Sequence, residues 1–268
     1  MTPMTAETAF RIFTRPRLQE PAAAEQAIAA TADTGRVRFR DGGLAWYGWG
    51  AGPLALLVHG WCGRATQFHA LVPALVAQGY RVVAFDAPAH GASDGRQATV
   101  TDFGEAVLAV AAHHGPVDLL AGHSMGSPAA LYAFARGLTV GRSVHVAGVA
   151  SLVWAVGRLA RALGLPPDEL PALRAHIEDF IRAPLESMDL DVLRPGLRHP
   201  ALLLHDPADA EVPYGDSQAL AAAWPGAVLQ PMPEAGHNRI LRDPRTIAAM
   251  TGFTAPAVTG SAACARSR

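Results

Sequence analysis

The sequence contains no lysine: all 22 of its Lys-or-Arg residues are arginine. That excludes a lysine Schiff base, a lysine general base and the phosphate loop that ends in Gly-Lys. Charge is sparse as well. Charged residues make up 17% of the chain and the formal net charge is -1, so no electrostatic case exists for nucleic acid or an anionic membrane. Cys62 and Cys264 are the only cysteines and lie far apart, so neither a disulfide framework nor a cysteine metal site is expected, and no cofactor is expected. No apolar run reaches the roughly 18 residues that a membrane span needs. The stretch Met1–Phe10 lacks a basic segment followed by an apolar one, so a signal peptide is not expected and a cytoplasmic location is.

What is present suits a globular domain. At 268 residues, half of them hydrophobic, the chain can bury a full core as one domain, alone or with an inserted cap. Residues 1–34 are Ala-rich, contain Pro16 and Pro21, and read as one or two short helices forming an arm. Arg36–Arg40 alternates as a half-buried strand does, Asp41-Gly42-Gly43 signals a hairpin turn, and Leu44–Trp49 returns. The style then changes. Leu54–His59, Arg81–Asp86, Val117–Ala121, Val144–Val149, Ala201–His205 and Ala227–Met232 are short apolar runs. Helical stretches at about 66–78, 99–114 and 127–138 separate the first four, and a last helix is expected near 241–251. Apolar runs without alternation, spaced by helices, predict an α/β fold with a mostly parallel central sheet of about eight strands, covered on both faces.

Between the strand ending near Ala150 and the one at Ala201 lie about fifty residues, far more than a crossover needs. Leu152, Val156, Leu159 and Leu163 line one helical face, Pro166-Pro167 stops it, and Leu173, Ile177, Phe180 and Ile181 line a second. The expected organisation is an arm over 1–34, a core over 35–150 and 200–252, a helical cap over 151–199 above the sheet's C-terminal edge, and a disordered tail over 253–268.

The chemistry concentrates at strand ends. Gly122-His-Ser-Met-Gly126 follows an apolar strand and precedes a helix, the context in which G-x-S-x-G lifts a serine to the tip of a sheet. A serine nucleophile needs a base, and the base needs an acid to orient it. Of eleven histidines, His237 in Gly236-His-Asn238 lies after the last strand and before the last helix. Asp206, Asp209 and Glu211 compete for the acid. Asp206 sits close to the strand and suits a turn cap; Asp209 stands three residues before Val212-Pro213, in a loop able to turn it back to the sheet edge. Two backbone N–H groups are needed for a developing oxyanion. Met125, at the start of the helix, supplies one, and Trp61 in His59-Gly-Trp-Cys-Gly63 the other.

Together these elements, with Asp86-Ala-Pro-Ala-His-Gly-Ala-Ser93, resemble the α/β-hydrolase family over about residues 36–252. The resemblance implies Ser124 as nucleophile, Asp209 as acid, His237 as base, and Trp61 and Met125 as oxyanion donors. Where relatives read D-x-P-G-x-G this chain has Ala89 and His90, so that segment reads as a structural turn. Serine at the elbow argues against epoxide hydrolases and haloalkane dehalogenases, and the lack of lysine against hydroxynitrile lyases. The expected activity is hydrolysis of carboxylic esters, or related acyl compounds, of small molecules. The alternatives are acyl transfer by the same residues and a catalytically silent ligand-binding protein. Trp61 and Trp154 are candidate substrate contacts for an apolar group, with cap–core packing as the other reading. Oligomeric state is left open.

Overall fold

The apolar runs that carry no alternation are strands buried on both faces. The structure, a computed structural model, describes residues 3–254. Among these, the strands are β1 (Asp33–Phe39), β2 (Gly42–Trp49), β3 (Leu54–Val58), β4 (Arg81–Phe85), β5 (Val117–His123), β6 (Val140–Val146), β7 (Ala201–His205) and β8 (Ala227–Pro231). They form one eight-stranded sheet in the order β1-β2-β4-β3-β5-β6-β7-β8. Only β1–β2 and β2–β4 pair antiparallel; the other five pairings are parallel. The expected α/β class and strand content are therefore observed. The tail beyond Thr254 lies outside the described residues.

Alternate residues of one strand serve two cores. Leu54, Leu56 and Val58 of β3 and Val83 and Phe85 of β4 join the cluster on one face. Ala55, Leu57, Val82 and Ala84 join the cluster on the other. Both sets are apolar because neither face meets water.

The helices are α1 (Ala6–Thr14), α2 (Ala23–Ala29), α3 (Val72–Ala77), α4 (Val100–His114), α5 (Gly126–Ala135), α6 (Leu152–Ala162), α7 (Leu170–Ile181), α8 (Leu190–Leu193), α9 (Tyr214–Ala223) and α10 (Pro244–Thr254). α4 starts on a cap from Asp102: Thr99 N and Thr99 Oγ1 both donate to Asp102 Oδ2, at 2.7 and 2.9 Å. α6 is capped by Ser151 Oγ, which accepts from Trp154 N at 3.3 Å. The stretch expected as one helix near 66–78 is a 3₁₀ turn, Ala65–Phe68, followed by α3. α9 had no counterpart in the sequence reading.

The segment 151–199 is helical, but its apolar stripe points into the molecule rather than over an opening. Leu152, Val156, Leu173, Ile177, Leu185, Met188 and Leu193 are buried in the same cluster as α4 and α5. α7 packs on α1, where Phe10 meets Phe180 with ring centroids 5.6 Å apart and Glu169 Oε2 accepts from Ala6 N at 2.8 Å. From α1 the chain runs without regular structure through residues 15–22, passes the loop after β3, and enters α2. Arg17 N donates to Cys62 Sγ at 3.3 Å, and Trp49 Nε1 donates to Ile28 O at 3.1 Å. No described helix is long and apolar enough to cross a membrane.

Candidate active site

Ser124 follows directly on β5, two residues before α5 begins. Ser124 has φ +51°, a conformation that costs a non-glycine residue free energy and persists only when its surroundings hold it. Its N–H donates to Val146 O at 2.9 Å, and its carbonyl accepts from Ser127 N at 3.0 Å. The flanking glycines are required by contact. A Cβ on Gly122 would lie 2.5 Å from Gly126 O, and one on Gly126 would strike the Val58 carbonyl. A Cβ on Gly60 would come within 2.9 Å of Ser124 Cβ. The loop after β3 therefore presses directly on the serine.

That loop is braced by two buried histidines. His59 Nε2 accepts from Ala87 N at 2.9 Å, so its Nδ1 carries the proton and donates to Gly60 O at 2.7 Å. His90 Nε2 accepts from Cys62 N at 3.2 Å while its Nδ1 donates to Pro88 O at 2.9 Å. His90 is thus a structural member of the turn, whose Asp86 accepts from Ala65 N and Ala92 N at 2.7 and 2.8 Å. Among the described residues, the Trp61 and Met125 amides donate to no protein acceptor.

The acid and base meet on the other side. His237 Nδ1 lies 2.7 Å from Asp209 Oδ2, and the Asp209 side chain is fully buried. Asp209 Oδ2 also lies 3.3 Å from His205 Nε2, and Oδ1 accepts from Glu211 N and Val212 N at 2.7 and 3.0 Å. Burial alone disfavours the charged carboxylate. The hydrogen bonds from His205, His237 and the two amides outweigh it and hold Asp209 far below the usual carboxylate range. Asp206 does a different job: its Oδ1 accepts from Ala208 N at 2.9 Å and its Oδ2 from Gly236 N at 2.6 Å. Glu211 is exposed, accepts from Asn238 Nδ2 at 3.1 Å, and stands 3.8 Å from His237 Nε2.

Ser124, His237, Trp61 and Gly60 line one cavity of about 570 Å³. No hydrogen bond joins Ser124 Oγ to His237, whose Nδ1 faces Asp209; catalytic contacts of this kind commonly tighten only in the substrate complex. The cavity's outer wall comes from the arm, through Gln19, Glu20, Ala22 and Glu25, and from Glu211, Asn238 and Arg242. Residues 151–199 contribute nothing to the lining. Trp154 is 61% exposed on α6, beside a separate depression formed with Val153 and Arg158. Of the sequence-derived residues, Ser124, His237 and Trp61 thus share the cavity, Asp209 stands behind His237, and Trp154 is elsewhere.

Two contributors escaped the sequence reading. His205, fully buried, donates Nε2–H to Val212 O at 3.0 Å and accepts from Ser217 Oγ at 2.7 Å, so it fixes the loop that carries Asp209. Its signal was a histidine closing the apolar run Ala201–His205, where a buried polar group demands partners. The arm gave no such signal.

No curated protein matches the sequence. A family model described as the alpha/beta hydrolase fold matches residues 53–154. Among solved structures, a bacterial membrane phospholipase A is 22% identical, with 85% of this chain and 87% of that one covered and a TM-score of 0.65. A thermophilic esterase from Thermogutta terrifontis is 22% identical over 83% and 98% of the two chains, at a TM-score of 0.62. An N-acyl homoserine lactone degrading enzyme is 16% identical over 82% and 100%, at 0.66. With this sheet order and this strand–serine–helix turn, the chain has the α/β-hydrolase fold.

Proposed function

We propose that this protein is a serine hydrolase that cleaves carboxylic esters, or related acyl compounds, of small molecules through an acyl-enzyme on Ser124. The observation that carries the reading is the 2.7 Å contact between Asp209 and His237 Nδ1, beside a cavity that also holds Ser124 on a strained turn. The esterase and the lactone-degrading enzyme among the similar structures support ester chemistry.

Asp209 accepts from His237 Nδ1–H, so Nε2 is left bare to act as base. On substrate binding, His237 takes the Ser124 proton and Oγ attacks the ester carbonyl. The oxyanion then meets the Trp61 and Met125 amides, each typically worth a few kcal/mol of barrier. His237 returns the proton to the leaving alcohol, and water activated by the same imidazole opens the acyl-enzyme. The arm borders the substrate in this reading: Gln19, Glu20 and Glu25 face the entry, and Trp61 is the apolar contact nearest the chemistry. The 151–199 segment acts as a clamp for α1 rather than as a roof.

A fluorophosphonate probe tests the reading. Labelling of the wild type that is lost in Ser124→Ala is the expected result. A folded wild type that neither labels nor turns over p-nitrophenyl esters overturns it. Alcohol or thiol acceptors added during turnover separate hydrolysis from acyl transfer.

A further inference from the structure

His123, the residue before the nucleophile, is 2% exposed. Its Nε2 lies 2.9 Å from the His237 carbonyl oxygen, and its Nδ1 lies 3.3 Å from Gln67 Nε2. A carbonyl only accepts, so Nε2 must carry the proton; Nδ1 is then bare and accepts from the Gln67 amide. Both ring nitrogens are satisfied, which is the condition for burying an imidazole at little cost. Burial, with the neighbouring His237 ring adding to it, pushes His123 to about 3. The neutral tautomer therefore persists at any pH used for ester assays.

The connections span three loops. Gln67 sits in the 3₁₀ turn after the loop that bears Trp61, His123 is the last residue of β5, and His237 belongs to the loop before α10. The Gly236-His237 pair is then held at two backbone points. Asp206 takes the Gly236 N–H at 2.6 Å, and His123 donates to the His237 carbonyl at 2.9 Å. Between these anchors only the side-chain torsions of His237 remain free, and Asp209 sets those. Nothing in a Ser-His-Asp triad requires a hydrogen-bonding residue before the serine.

We propose that Gln67 and His123 are positioning residues. Gln67 fixes the His123 tautomer, and His123 pins the backbone of the base to the same strand end that carries the nucleophile. The inference rests on His237 acting as the base for Ser124. Misplacement of a reacting group by an ångström costs on the order of a hundredfold in rate. His123→Phe keeps an aromatic ring and removes the donor. Its expected effect is a fall of about 10- to 100-fold in kcat and in the fluorophosphonate labelling rate of Ser124, with KM for p-nitrophenyl butyrate within about twofold.

His123→Gln restores a donor amide and recovers much of that loss. Gln67 also borders the cavity, so its effect is read on kcat rather than KM: Gln67→Leu lowers kcat by about three- to tenfold, and the His123→Phe/Gln67→Leu double variant is no slower than His123→Phe, because Gln67 reaches the base through the imidazole. Thermal midpoints measured alongside separate alignment from folding. Should His123→Phe not fold, Gln67→Leu and His123→Gln carry the test, and an unchanged kcat in Gln67→Leu overturns the relay. A His123→Phe enzyme within twofold of wild type by both readouts also overturns it, while leaving the hydrolase reading intact. A wild type that fails to label sinks both.

Discussion

Asp209→Asn is the most exposing single change at this site. The carboxylate uses its two oxygens differently: Oδ1 accepts from the Glu211 and Val212 amides, and Oδ2 faces the His237 and His205 imidazoles. Asparagine has one acceptor oxygen and one NH2 group. Backbone N–H groups cannot exchange their protons for acceptors, so the oxygen takes the Oδ1 place and the NH2 faces the imidazoles. His237 then presents a bare Nδ1 to the NH2 and carries its proton on Nε2, where it cannot receive one from Ser124. A base in the wrong tautomer costs about four orders of magnitude in kcat, or roughly 5 kcal/mol of barrier. Steady-state turnover of a p-nitrophenyl ester reads this directly, with the thermal midpoint as a control for folding. Asp206→Asn should cost far less, since Asp206 binds backbone amides, those of Ala208 and Gly236 among them, and not His237. If Asp206→Asn proves the slower enzyme, or Asp209→Asn keeps a tenth of the activity, the acid is misassigned.

Acid should unfold the protein early. Burial pushes His59 to about 4 and His90, His123 and His145 to about 3, against an unfolded value near 6.5. Below pH 6.5 the unfolded chain binds protons that the folded one refuses, so stability is full above that pH and falls towards the folded values. At pH 5.5 each of these histidines costs on the order of 1 kcal/mol, and together several, a sizeable share of the stability of many domains. Tryptophan fluorescence during acid titration checks this, and a midpoint of denaturation independent of pH from 7 to 4.5 contradicts it. Gly126→Ala should lower the thermal midpoint by several degrees, because its methyl group meets the Val58 carbonyl and overpacking costs about 1–3 kcal/mol. An unchanged midpoint in calorimetry counts against the described turn. Trp154→Ala should leave the dependence of rate on acyl chain length unaltered, since Trp154 is exposed and outside the cavity. A changed chain-length profile in that variant would place α6 at the substrate.

The elbow and the sheet were legible because each obeys a local rule. Gly122 and Gly126 are there to avoid contact with neighbouring backbone, and β3 and β4 are apolar on both faces, so composition and spacing alone expose them. α9 was not legible. Its buried residues include Asp216 and Ser217, and Leu220 is its one large buried apolar side chain, so it carries no stripe. Asp216 is satisfied by Arg158 and by Ala150 N, which no sequence pattern announces. The apolar faces within 151–199 mark the helices α6 and α7, but an apolar stripe does not say what it packs against. Leu173 and Ile177 belong to the main core, and α7 is covered by α1 from the far end of the chain, so the wall expected from the insertion comes from the arm. The roles of Gln67, His123 and His205 depend on pairings 7 to 114 residues apart and emerge only in three dimensions.

The route of the arm has a consequence for how the protein acquires activity. The cavity needs residues 19–25 on one wall and His237 on the other, and the arm is secured through Glu169 and Cys62. Residues 6–25 are synthesised before Glu169 and therefore find their place only after the middle has been made and packed. A chain could complete its sheet and still offer Ser124 a half-built pocket. Recovery of substrate selectivity during refolding is then a later event than recovery of the core, and it reports on the arm alone.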